Sequence, residues 1–419
     1  MSVTDLLKDR QEALWINPDW QSLEPFTKID GYGFAYVKAA QNRMLRFSKA
    51  MVTLFPETAA RAGFIESELI EIPAMKAWLN ENGAAVKGRL FLKDDARLPV
   101  AGSVKARGGI HEVMKIAEGI AQKEAGLKPT DDYSVLDSDK YRELFGRYTI
   151  QVGSTGNLGI SIGRMAAKLG FRAVVHMSSD AKQWKKDLLR SEGVIVKEYD
   201  GDYSEAVAAG RREAADDRTG FFVDDENSED LFFGYATAAM RVRMQLNKLK
   251  IAVDKEHPVF LYLPCGVGGA PAGITFGFRQ LYGDSVHCFF AEPVEAPCFL
   301  LGMASGKGSD ICVRDIGLTG QTAADGLAVG RASGFACERM KPLMAGAFTV
   351  PDGKMAAYQE KINSLENLRL ELSACAGFEG LMQGGRTGWK TYLEEHDLTD
   401  VMDQAVHIVW ATGGGLMPY

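Results

Sequence analysis

The chain has 419 residues, 46% of them hydrophobic and 25% charged, with a formal net charge of -7. That length suggests about two domains, and the acidic balance argues against nucleic acid or an anionic membrane as partner. No stretch approaches the ~20 apolar residues of a membrane span, and MSVTDLLKDRQEALW does not read as a secretory signal. The six cysteines include no C-x-x-C pair, so reduced thiols in a cytoplasmic protein are expected, without a disulfide framework or zinc site.

In chain order, the first hundred residues read as mainly helical. IESELIEIPAMKAWLNENG (65 to 83) reads as one amphipathic segment ending on Gly83. GRLFLK (88 to 93) reads as a strand leading to AGSVKARGG, where Lys105 stands between a Gly-Ser pair and Arg107-Gly108-Gly109. The simplest account of that run is a helix N-terminus capped by Ser103. From Tyr148 the pattern becomes regular: strands YTIQV, FRAVVHMS, VIVKEY and GFFVDD alternate with three helical runs. A helix over 231 to 249 leads to a second series, PVFLYLP, APAGITFGFRQLYG and VHCFFAEP, and HIVWAT (407 to 412) closes the order. Strands alternating with helices imply parallel sheets, and the interleaving suggests two α/β lobes. The expected division is 1–147 with 236–419 as a large domain and 148–235 as a smaller one.

Ligands of such sheets sit beyond the carboxyl ends of the strands. Three loops there are unusual: VGSTGNLG (152 to 159), PCGVGGAPAG (264 to 273) and ATGGG (411 to 415). Successive glycines at 266, 268 and 269 let main-chain N–H groups converge on an anion at the start of a helix. Neither a nucleoside-triphosphate loop nor a G-x-G-x-x-G fingerprint is present, since no lysine follows and position 271 is proline. Ser154, Thr155 and Asn157 offer more polar groups than one helix cap needs. A lysine, a phosphate-type turn and a polar loop together suit pyridoxal phosphate.

GSVKARGG, VGSTGNLG, DDENS, CGVGG, TAADGLAVGRASGF and WATGGG, in that order, resemble the fold-type II, tryptophan-synthase-β-like pyridoxal-phosphate family, in particular its branch that eliminates D-serine. The resemblance runs from LWINP to Gly415 and implies an α/β fold of two lobes, each with a mainly parallel sheet flanked by helices. It implies that Lys105 bonds the cofactor aldehyde and that Cys265, Gly266, Val267, Gly268 and Gly269 hold the phosphate. It places Asn157 on the ring's 3′-oxygen and Thr412 at the ring nitrogen. Ser154 and Thr155 would meet the substrate carboxylate or hydroxyl, and Asp225 would face the substrate. Glu292 is expected as ligand of a monovalent cation such as potassium, with a helix N-terminal carboxylate as the other reading. Glu371-Leu372-Ser373-Ala374 departs from the family's usual E-P-S-A, which puts the local turn in doubt, and the family would lead one to expect a longer tail than LMPY.

The activity implied is β-elimination of D-serine, and of D-threonine, to a 2-oxo acid and ammonia by a monomeric cytoplasmic lyase. An L-serine or L-threonine dehydratase or a serine racemase of the same fold is the near alternative, and a non-catalytic nucleotide-binding module the distant one. A neutral Thr412 cannot hold the ring nitrogen protonated as an aspartate would, which favours elimination over reprotonation. A D-substrate either shows its Cα proton to the side of Thr155 or Asp225, or turns over and leaves Lys105 as base. The weakness of a neutral threonine as a base favours Lys105.

Overall fold

The computed structural model describes residues 2–154, 156–179, 181–200 and 203–417. Its strands, in chain order, are β1 (Leu14–Ile16), β2 (Leu69–Glu71), β3 (Arg89–Asp94), β4 (Thr149–Gly153), β5 (Arg172–Ser178) and β6 (Ile195–Tyr199). There follow β7 (Gly220–Val223), β8 (Val259–Pro264), β9 (Val286–Pro293), β10 (Gly346–Val350) and β11 (Val406–Ala411).

They form a seven-stranded sheet, β1-β10-β9-β8-β11-β3-β2, and a four-stranded sheet, β6-β5-β4-β7. The smaller sheet is parallel throughout. In the larger, β10, β9, β8, β11 and β3 run parallel, and the edge strands β1 and β2 are antiparallel to their neighbours. Every residue of β8, β9 and β11 is buried, as the unbroken apolar runs VFLYLP and VHIVWA require of strands covered on both faces. No described helix is long and apolar enough to cross a membrane. All six cysteines are free thiols.

Two readings of the sequence are corrected. The segment 65 to 83 is not one helix: β2 pairs with β3, and a helix begins only at Pro73 and runs to Glu81. Proline fits the first helical position but disfavours helical geometry in the residue before it, so Ile72 ends the extended stretch. Ser103 does not cap the helix after it. That helix runs Lys105–Ala125 with no side-chain cap, and Ser103 Oγ is buried without a partner among the described residues. Ser103 instead bridges Gly413, while Val104 N–H donates to Thr412 O at 2.8 Å. The end of β11 is thereby zipped to the lysine loop.

The neighbours of Lys105 have separate tasks. A Cβ on Gly108 would lie 2.5 Å from the Tyr235 ring, and one on Gly109 would lie 2.1 Å from Ser161 Oγ. These glycines let the helix press against Glu229–Lys248 and Asn157–Leu169. Arg107, 2% exposed, donates to Asp95 Oδ2 and Oδ1 at 2.7 Å each and to Glu66 Oε1 at 2.8 Å. Trp410 Nε1 donates to the same Asp95 at 2.8 Å, so β11 and the helix hang on one buried carboxylate.

Candidate active site

Five strand ends converge on one cleft: β3 leads to Lys105, β4 to Ser154, β7 to Asp225, β8 to Gly266 and β11 to Thr412. The cleft encloses about 940 Å³ open to solvent and is lined by residues of both sheets' loops.

Lys105 Nζ donates to Asp225 Oδ2 at 2.9 Å and to Oδ1 at 3.1 Å, over the Tyr235 ring. The adjacent Asp224 is occupied separately, accepting from Arg211 Nη2 at 2.7 Å. Of the acidic pair, Asp225 alone lines the cleft. The Tyr235 hydroxyl beneath is buried, without a partner among the described residues.

Gly266 to Pro271 line one wall, and the helix Gly269–Tyr282 starts there with no side-chain cap. Gly268 sits at φ +108°, in the left-handed region, and a Cβ there would lie 2.4 Å from the Phe299 ring. Only glycine fits on both counts. Pro271 falls in the first turn, where a helix has no intrahelical use for the missing N–H. Cys265 is fully buried and burial pushes its thiol well above its ordinary value, so it is a packed neighbour and not a nucleophile. Val267 lines the cleft while its carbonyl accepts from Ser333 N–H at 2.8 Å.

Asn157 Nδ2 donates to Glu371 Oε1 at 3.1 Å. Ser154 Oγ accepts from Gly156 N–H at 3.2 Å, and Thr412 stands at the cleft wall. Thr155 lies outside the described residues. Glu292 lies off the cleft: its two oxygens accept from Phe299 and Leu300 N–H at 2.7 Å each. Burial raises its carboxyl to about 8 against those bonds. Among the described residues no group of three or more His, Cys, Asp or Glu could hold a metal ion.

The residues present fit pyridoxal phosphate. Lys105 reaches the cleft that also holds an uncapped helix start, Gly268 in the turn excludes a Cβ, and the Asn157 amide and Thr412 hydroxyl belong to residues of the same lining. Lys185, Asp325 and Glu371 also line this cleft and carry no role in the sequence reading. Lys185 hides in a run that looks like a solvated helix face, and Asp325 and Glu371 lie in motifs quoted without a task. Glu371 stands just before the 3₁₀ run Leu372–Gly385, and its N–H donates to Gly413 O at 3.0 Å. Burial pushes its carboxyl up to about 7, against the pull of Lys185.

A family model described as pyridoxal-phosphate dependent enzyme matches residues 67–392. A Bacillus cereus (strain 03BB102) protein named probable D-serine dehydratase is 51% identical over 413 residues, covering 98% of this chain and 92% of that protein. A Bacillus anthracis (strain CDC 684 / NRRL 3495) protein of the same name is 51% identical over 409 residues, covering 97% and 91%. Among solved structures, Escherichia coli diaminopropionate ammonia lyase in complex with D-serine matches with TM-score 0.72 at 18% identity, over 96% of this chain and 94% of that one.

Proposed function

This chain belongs to the pyridoxal-phosphate dependent enzyme family, and from that premise we propose that its cleft is the site of a D-serine ammonia-lyase, releasing pyruvate and ammonia. The observation that carries the reading is the Lys105–Asp225 pair set in one cleft with an uncapped glycine turn. The relatives named probable D-serine dehydratase, half identical over nearly the whole chain, agree with it.

Pyridoxal phosphate, when bound, supplies an electron-withdrawing ring that takes up the electron pair left at Cα. In this reading the main-chain donors of Gly266, Val267, Gly268 and Gly269 and the positive end of helix Gly269–Tyr282 hold its phosphate, whereas the sequence-expected donor Cys265 is spent, its N–H bonded to Ala291 O at 2.8 Å within the sheet. Asn157, fixed by Glu371, serves the 3′-oxygen. Thr412 meets the ring nitrogen as a neutral partner, and Ser154 and Thr155 take the substrate carboxylate or hydroxyl.

Proton traffic falls to Lys105 and Asp225. A neutral Lys105 amine takes the Cα proton, and Asp225 holds the ammonium so formed. The β-hydroxyl leaves as water by taking up the proton that Lys105 removed from Cα. The enamine released takes up water and gives pyruvate and ammonia. The same reading includes activity on D-threonine, a monomeric state, a cytoplasmic location and a potassium ion at Glu292.

The test is a coupled assay of pyruvate formation from D-serine by the parent and by Lys105→Ala, each supplied with pyridoxal phosphate. Pyruvate from the parent and none from the variant is expected. No pyruvate from the parent overturns the reading.

A further inference from the structure

Lys185 is an unusual lysine. It belongs to helix Gln183–Ser191, beside the four-stranded sheet, yet it is only 4% exposed and lines the cleft. Its Nζ lies 2.9 Å from the place a Cβ on Gly156 would occupy, so the ammonium rests against the backbone at Gly156. A side chain on residue 156 would collide with it.

Among the described residues, the hydrogen bond of Lys185 Nζ is to Asp325 Oδ2, at 3.2 Å. That oxygen also meets Lys182 Nζ at 3.1 Å. Two ammonium groups thus share one carboxylate. An ammonium has three donors, so Lys185 keeps donors to spend in the cleft. The remaining charges nearby do not cancel the surplus. Lys105 and Asp225 neutralise each other, and Glu371, pushed up to about 7 by burial, is only partly ionised at neutral pH. Asp325 is the counter-charge that holds this ammonium in place.

An amino acid whose amine is engaged at Lys105's position has one anion left, its carboxylate. We propose that Lys185 selects that carboxylate: held by Asp325 against Gly156, its ammonium donates to the α-carboxylate of the substrate bound beside Gly156 and Asn157. The inference rests on the reading of this cleft as an amino-acid lyase site. A phosphate could use the same ammonium, but the glycine turn with its own helix start supplies the phosphate with donors of its own.

The experiment compares the parent holoenzyme with Lys185→Met and Lys185→Arg. D-alanine, which has no leaving group, and D-alaninamide, which has no carboxylate, are titrated through the cofactor's visible absorption. Cofactor affinity and the kcat and KM for D-serine are measured alongside. Lys185→Met should weaken D-alanine about 10- to 100-fold, as loss of a charge-assisted contact does, and leave D-alaninamide and cofactor affinity within about 2-fold. KM for D-serine should rise more than kcat falls, and Lys185→Arg should recover part of the loss. Equal weakening of both ligands, or unchanged D-alanine binding, overturns the assignment. Loss of cofactor affinity with unchanged discrimination also overturns it and gives the ammonium to the phosphate. If the parent makes no pyruvate from D-serine yet discriminates the two ligands through Lys185, the elimination reading fails and the carboxylate contact stands.

Discussion

Lys105 Nζ is bonded to both carboxylate oxygens of Asp225, at 2.9 and 3.1 Å, although 120 positions separate the two residues. The pair joins the start of the helix Lys105–Ala125 to the segment after β7, and so joins a residue beside the larger sheet to one beside the smaller. A lysine placed there has a carboxylate partner already in position.

Replacing Lys105 by alanine should leave a folded protein that cannot bind the cofactor covalently. Borohydride reduction of the parent holoprotein, followed by peptide mapping, should place the adduct on the Lys105 peptide. An adduct on another lysine would sink the assignment.

Gly268→Asp should abolish tight cofactor binding. The variant forces a Cβ toward Phe299 at φ +108° and sets a carboxylate where the phosphate belongs. Like charges ~4 Å apart at an effective dielectric of ~20 repel by ~4 kcal/mol, about a thousandfold in affinity. Fluorescence titration of the apoprotein measures it, and parental affinity would assign the turn another task.

Glu371 should make stability fall with rising pH. Burial lifts its carboxyl to about 7. Between the ordinary carboxyl value near 4.5 and about 7, the folded protein holds a proton that the unfolded chain releases. Its stabilising contribution is complete below that window and lost above it. Glu371→Gln removes the effect, so the parent's Tm should drop relative to the variant's by at least about 1 °C from pH 5 to pH 8. Parallel Tm curves would contradict it.

Arg107→Met should cost about 3–5 kcal/mol, because it leaves Asp95 buried without its cation, while Glu66 keeps Lys93 Nζ at 2.7 Å. Arg107→Lys should recover little, since the bond to Asp95 uses two nitrogens of one guanidinium. Urea unfolding followed by circular dichroism reports the loss, and an unchanged midpoint would refute it.

In the proposed reading, potassium should raise the rate through Glu292. Equal rates in potassium and tetramethylammonium chloride would remove the idea.

Much of this was legible in the sequence because parallel strands buried on both faces write unbroken apolar runs, and because tight turns against a ligand demand glycine. VFLYLP followed by CGVGG carries both signals. What stayed hidden depends on tertiary company. β1 is three residues long and exists through its pairing with β10. Ser103 reads as a helix cap, yet main-chain pairing with Gly413 turns it inward. Lys185 has the sequence context of a solvated lysine, and only the approach of Asp325 and Gly156 makes it part of the cleft.

The measurement that bears most directly on the central claim is kcat/KM for pyruvate release from D-serine and from L-serine, on one holoenzyme preparation in potassium buffer. The D-enantiomer should be preferred by at least about tenfold, a difference of about 1.4 kcal/mol in transition-state binding. Equal rates, or a preference for L-serine, would contradict it.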